Sequence, residues 1–414
     1  MLIASKAGPP AARYRDVLAN REFRAVFAAD LLSMAGDYLA KIAIAVLVFE
    51  NTASALLSAV AFGIGYLPGV LGGPVLAALS DRLPRRTVMV TCDVARAVLV
   101  GALAVPGVPV PALLVILFAA SLFAPPFQAA RSAILPEVLA GDAYAVAGSL
   151  MVLSQQLAQV LSFAAGGALL TVVGSREALL LDALSFVASA LLVRTSLTHR
   201  PAPRADRPRG WLSGVGEGFR LVFHDRALRT CLLLAWAGAA ATAAPEGLMS
   251  AYAESLHGSP ATTGLLLAAI PVGNVAGAVL YVRFTPPRLR ERLVAPMALG
   301  AVLALLPIGA GLPLPAVLGL LALSGFGLSH VVVLNTMFTR AVPAAYRGRA
   351  NGLAVAGLMV GQGGGVALAG AAADALGEPG VVITLCGAAG LVAVVSVLVL
   401  AGPRAHLTTT LENP

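Results

Sequence analysis

Asp30, Asp37 and Lys41 fall within one otherwise apolar stretch, NREFRAVFAADLLSMAGDYLAKIAIAVLVFE. Their spacings of seven and four residues put all three on one stripe of a helix. In a helix surrounded by lipid, each unpaired charge costs roughly 2.5–3.5 kcal/mol or more at mid-bilayer. The stripe therefore has to face a bundle interior or a wet cavity. Asp37 lies near the middle of the stretch, where a carboxyl can take up a proton from one side and release it to the other. Lys41, one turn away, would set its proton affinity. A static Asp37–Lys41 pair that only orients the helix is an alternative of equal weight.

Other polar residues in apolar stretches could join this chemistry. Glu246 follows Arg229 by 17 residues, as Lys41 follows Arg24, so it is expected to form the opposite wall of a central cavity or to lie at a solvated mouth. Gln155, Gln156, Gln159, His330, Asn335 and Gln362 have side chains able to hydrogen-bond a ligand or a neighbouring helix. Asp93 and Arg96 lie one turn apart near the start of their helix, and Arg131 ends another. The five histidines are dispersed and the three cysteines, Cys92, Cys231 and Cys386, show no pairing pattern. Neither a metal site nor a disulfide is expected. With no P-loop, HExxH or GxSxG, neither an enzyme nor a bound cofactor is expected.

The elements that position these residues follow from composition. The chain is 58% hydrophobic and 12% charged, with a mean hydropathy of +0.88, whereas soluble domains are about 25% charged. A water-soluble core cannot hide so much apolar surface. The composition predicts an all-α integral membrane protein with twelve apolar stretches, each of the roughly 20 residues needed to span a bilayer. Residues 1–24 read as a polar cytoplasmic tail, 25–195 as a first six-helix half, 196–227 as a cytoplasmic loop, 228–402 as a second half and 403–414 as a C-terminal tail. Within the loop, Trp211, Val215, Phe219 and Val222 recur at helical spacing, which predicts a short interfacial helix. Of the 28 basic residues, all but Lys41, Arg96 and Arg176 fall on the two tails and the even-to-odd connections. By the positive-inside rule, both termini are expected in the cytoplasm. The pI of about 9.9 is thus a topology signal, and no nucleic-acid partner is expected.

The halves repeat one another. NREFR (Asn20 to Arg24) opens the first and DRALR (Asp225 to Arg229) the second. Gly69 and Gly73 precede Asp81 with the same spacing by which Gly273 and Gly277 precede Thr285. GSLMVLSQQLAQ (Gly148 to Gln159) parallels NGLAVAGLMVGQ (Asn351 to Gln362). Three matches in one order favour duplication over chance recurrence of Gly and Leu.

Two six-helix halves, a basic central loop and LSDRLPRR between the second and third helices resemble the major facilitator superfamily. The opening NREFRAVFAADLLSMAGDYL, with its Gly36–Asp37 pair, and the late VPAAYRGRANGL are similar to its macrolide-efflux and siderophore-exporter branch. The resemblance implies that Asp81, Arg82, Arg85 and Arg86 form a cytoplasmic latch. Asp81 would face the N-terminal end of the eleventh helix near Arg349 to Asn351, where unpaired amides favour an anion, and Asp93, Arg96 and Arg131 would extend the latch. Ala77 stands where the family pattern has glycine.

The resemblance also implies a secondary transporter in the cell membrane that exports small amphipathic compounds by alternating access, in exchange for protons. Protons and membrane lipids would be its partners, and a monomer its working form. Ser162 and Phe163 precede Gly166 and Gly167 where many antiporters carry Gly-Pro, which keeps a uniporter, importer or lipid flippase open. A membrane sensor that does not transport is the third reading.

Overall fold

The computed structural model describes residues 14–71, 83–139, 141–201, 219–343 and 346–402. Each of the twelve predicted stretches is helical over most of its described residues: α1 Arg21–Thr52, α2 Ala55–Gly69, α3 Arg85–Leu103, α4 Val110–Val138, α5 Asp142–Val173, α6 Ser175–Ser196, α7 Arg226–Ser255, α8 Pro260–Phe284, α9 Leu289–Ala310, α10 Leu314–Ala341, α11 Arg347–Leu376 and α12 Pro379–Ala401. Ten of them, α1 and α4 to α12, are long and apolar enough to cross a membrane. Only the first part of α2 is described, and α3 carries Arg85, Arg86, Asp93 and Arg96 among its apolar residues. Of the predicted interfacial helix, residues 219–224 are helical, with Val222 buried and Phe219 stacked on Phe223. Trp211 and Val215 lie outside the described residues.

The repeat seen in the sequence is reproduced in the capping of the two opening helices. The Asn20 side chain accepts from the Glu22 and Phe23 amides at 3.0 and 3.1 Å, and Asp225 accepts from Ala227 and Leu228 at 2.8 and 2.9 Å. Each cap satisfies amides that the first turn leaves without partners. Arg24 then donates back to the Leu18 carbonyl, as Arg229 does to Phe223. The two helices therefore start from the same local device.

In α2 a 3-10 turn covers Ile64–Tyr66; in α7 one covers Ala244–Leu248, where Pro245 lacks the amide an α-helical bond would use.

The sets α1–α6 and α7–α12 meet chiefly through α2 against α11 and α5 against α8. The closest approaches lie toward the end that carries the α1–α2, α5–α6, α7–α8 and α11–α12 connections. There a Cβ on Gly167 or Gly264 would fall 2.6 Å from the other glycine's Cα, and one on Gly370 would fall 2.6 Å from the Ala59 Cβ. Only glycine permits such backbone contact. Toward the opposite end, a Cβ on Gly148, Gly348 or Gly352 would meet nothing within 4 Å.

Asp374, near the end of α11, closes the tight end further. Its Oδ1 accepts from the Ala55 and Leu56 amides at 2.6 and 3.2 Å, and its Oδ2 accepts from the Ser54 hydroxyl at 2.6 Å. A side chain of the second set thus caps a helix of the first.

Candidate functional site

The charged stripe of α1 meets a different partner at each level. Asp30, 2% exposed, pairs with Arg131 of α4 and accepts from Gln155 of α5 at 3.3 Å. Asp37 pairs with Arg96 of α3, whose guanidinium lies 4.1 Å from the centre of the Phe186 ring on α6. Lys41 is not the ion-pair partner of Asp37. Its Nζ stands 5.4, 5.6 and 5.5 Å from the ring centres of Tyr38, Phe62 and Tyr66. Glu246, on the interrupted turn of α7, lies within charge–charge reach of Lys41 and beside the Tyr66 hydroxyl. The planar fork of Arg96 suits a carboxylate, so Asp37 turns to α3, and Lys41 one turn farther on rests on aromatic faces.

Asp93 and Arg96, one turn apart on α3, point into the bundle beside α1 and α6. Ser189 of α6 donates to Asp93 Oδ2 at 2.6 Å. Asp182 of α6, 1% exposed, presses directly on α1: a Cβ on Gly36 would fall 2.1 Å from its Oδ1. The glycine of the Gly36–Asp37 pair therefore makes room for a second carboxyl. Asp37, Lys41, Arg96 and Asp182, with Ser121 and Gln128 of α4, line a cavity of about 230 Å³.

The residues expected to form the latch divide into two groups. Asp81 and Arg82 lie outside the described residues. The others bind within α1–α6 and the segment just after α6. Arg85 pairs with Glu137 and donates to the Ala133 carbonyl at 2.6 Å, and Arg86 donates to the Arg194 carbonyl. Arg200 joins the same collar by pairing with Glu22 at 2.7 Å. Asp93, Arg96 and Arg131 lie deeper and pair with α1 or α6 side chains, because one-turn spacing on α3 turns both of its charges inward.

The weaker cavity candidates scatter. His330 is buried, with Nδ1 2.8 Å from the Gly327 carbonyl and its ring against Gly238 of α7, so it packs α10 on α7. Asn335 is exposed, and Gln156, Gln159 and Gln362 are half-buried. The three cysteines are free thiols. Asp182, Gln128 and Asp374 were not singled out in the sequence. The cost of a lone charge in LLLDALSF would have flagged Asp182, as it flagged Asp37.

Two sets of helices that start from the same caps, ten of the described helices long enough to cross a membrane, around buried charges and a cavity, define a polytopic membrane carrier. The profile of the Major Facilitator Superfamily matches residues 26–282 and 240–413, and the chain belongs to that family. It is a multi-pass plasma-membrane transporter and not an enzyme. It is 28% identical over 376 residues to the multidrug efflux pump Tap of Mycolicibacterium fortuitum, covering 85% of this chain and 89% of that one. It is 31% identical over 362 residues to the enterobactin exporter EntS of Escherichia coli O1:K1 / APEC, covering 84% of each. Among solved structures, a POT family transporter in complex with 5-aminolevulinic acid superposes with a TM-score of 0.74 at 9% identity, over 95% of this chain and 98% of that one. That likeness carries the fold alone.

Proposed function

We propose that this protein exports small amphipathic compounds in exchange for protons by alternating access, with both termini in the cytoplasm. The supporting observation is the set of charges within the helices: Asp37, Lys41 and Arg96 line one cavity among α1–α6, and Glu246 of α7 lies within charge–charge reach of Lys41. A transporter with no gradient to couple has no need of charges at this cost. Export is supported by the relatives, one an efflux pump and the other an exporter. The cytoplasmic placement of the termini is supported by the basic asymmetry of the connections.

In proteoliposomes, a fluorescent lipophilic amine should be moved against its gradient when a pH difference is imposed and not when the difference is collapsed by an ionophore. Orientation is read by labelling a cysteine at Ser259, in the α7–α8 connection, from outside intact cells. Gradient-independent movement of the amine would leave the uniporter reading in its place.

On this reading the structure is closed on the outer side, where Gly167 meets Gly264 and Asp374 caps α2. Asp374→Ala removes the acceptor of the Ala55 and Leu56 amides and that of the Ser54 hydroxyl, a contact of about 0.5–2 kcal/mol by analogy with helix caps. That is enough to change the ratio of two states several-fold. Distances between spin labels on the outer ends of α2 and α11 should lengthen in a larger fraction of molecules. An unchanged distribution would remove Asp374 from the outer gate.

A further inference from the structure

We propose that Asp182 carries a buried proton and shares Arg96 with Asp37, so that the guanidinium belongs to one carboxylate while the other is neutral. The inference deepens the proton-coupled reading above and rests on it for its place in transport.

The argument begins with charge. Around Arg96 stand three carboxyls, Asp37 on α1, Asp93 on α3 and Asp182 on α6, and the last two are 0% and 1% exposed. One guanidinium cannot pair with the partly exposed Asp37 and also neutralise two buried carboxylates, and an uncompensated buried charge is far more costly than a protonated, neutral acid. In this structure Arg96 is committed to Asp37.

Asp93 Oδ2 accepts from Ser189 at 2.6 Å while its Oδ1 has no partner, and Asp93, unlike Asp182, does not line the cavity. Asp182 has only the Ser185 hydroxyl, 3.2 Å from its Oδ1, and its buried Oδ2 meets no hydrogen-bond partner. A carboxylate oxygen in that position would lack both a donor and water, whereas a hydroxyl oxygen tolerates it better. Every charged group facing Asp182 is accounted for. α1 brings Asp37, with Lys41 on the same cavity, and α3 brings Asp93 and Arg96. α5, which touches α6 lightly, has no charged residue beyond Asp142.

The exchange follows. When the Asp182 O–H bond breaks, the proton leaves through the 230 Å³ cavity that both carboxyls line, and the electron pair stays on the Asp182 oxygen. Arg96, still cationic, is drawn to the new carboxylate. Asp37 then takes up a proton to become neutral. One proton has moved and the buried charge is unchanged. Gly36 keeps the two acids close enough to share one arginine.

The test reads protonation directly, independently of transport. Infrared spectra of the purified protein in lipid nanodiscs at neutral pH should show a protonated-carboxyl C=O band that moves in D2O. Asp182→Asn should remove one component of it. Asp37→Asn should remove the same component, because Arg96 then passes to Asp182 and ionises it. Gly36→Ala, which forces the Asp182 carboxyl aside without deleting it, should shift that component and leave its intensity. An unchanged band in Asp182→Asn overturns the proposal, as does full retention of the component in Asp37→Asn. A component that appears only when sodium is removed would make the site a cation site and also overturn it. If the band behaves as expected while pH-driven transport is absent, the proton site stands and the coupled-export reading fails.

Discussion

In Asp37→Asn, amine transport driven by an imposed pH gradient is expected to fall to the level of empty liposomes, while downhill exchange of the same amine persists. Asparagine keeps the size of the side chain, so the local packing of α1 on α3 survives while Arg96 passes to Asp182. What disappears is a carboxyl able to alternate between neutral and charged, and with it the link between proton movement and the exchange of states. The expected loss of gradient-driven rate is at least tenfold, with downhill flux changed by less than about threefold, since each factor of ten corresponds to about 1.4 kcal/mol. The measurement pairs both assays on one preparation. Full gradient-driven transport by the variant would make the Asp37–Arg96 pair structural and move preference to a uniporter.

Arg96→Ala is expected to be the most damaging single substitution to stability. It leaves Asp37, Asp93 and Asp182 without the guanidinium they surround and also takes that group from the Phe186 ring. Breaking one partner of a buried pair costs about 3–5 kcal/mol, and some of that cost is offset if the orphaned acids become protonated. The melting temperature in detergent should fall clearly below that of wild type, and gradient-driven transport should be lost. Arg96→Lys keeps the charge without the planar fork and should fall between the two. A melting temperature for Arg96→Ala equal to that of wild type would rule out the charge accounting around this arginine.

Most of the helical layout was legible because lipid demands long apolar runs and leaves few alternatives. The openings at Asn20 and Asp225 were legible as a repeat, and the structure adds that each residue, immediately before its helix, caps it by accepting backbone amides. The importance of Asp37 was legible from cost alone. Its partner was not. Lys41 was closer in sequence, and nothing in one chain tells which face of α3 turns toward α1, so Arg96 was assigned to the cytoplasmic collar. The cost of Asp182 was legible in the same way, but its contact with α1 was not, because that depends on Gly36, more than a hundred residues away, having no side chain. Asp374 was missed for a similar reason. An acid near a helix end reads as solvated until another helix start is brought against it.

The meeting of Lys41 and Glu246 has a bearing on ancestry. Each lies 17 residues beyond the arginine that closes its own opening turn, so the two are counterparts in the repeat, and they face each other across the middle of the molecule. Two identical six-helix units assembled about a twofold axis would set lysine against lysine or glutamate against glutamate there, out of water, and like charges in such a place repel. Attraction at this point is open only to copies that can mutate separately, as the two halves of one polypeptide can. The opposite signs at positions 41 and 246 are therefore a trait that two identical units could not possess.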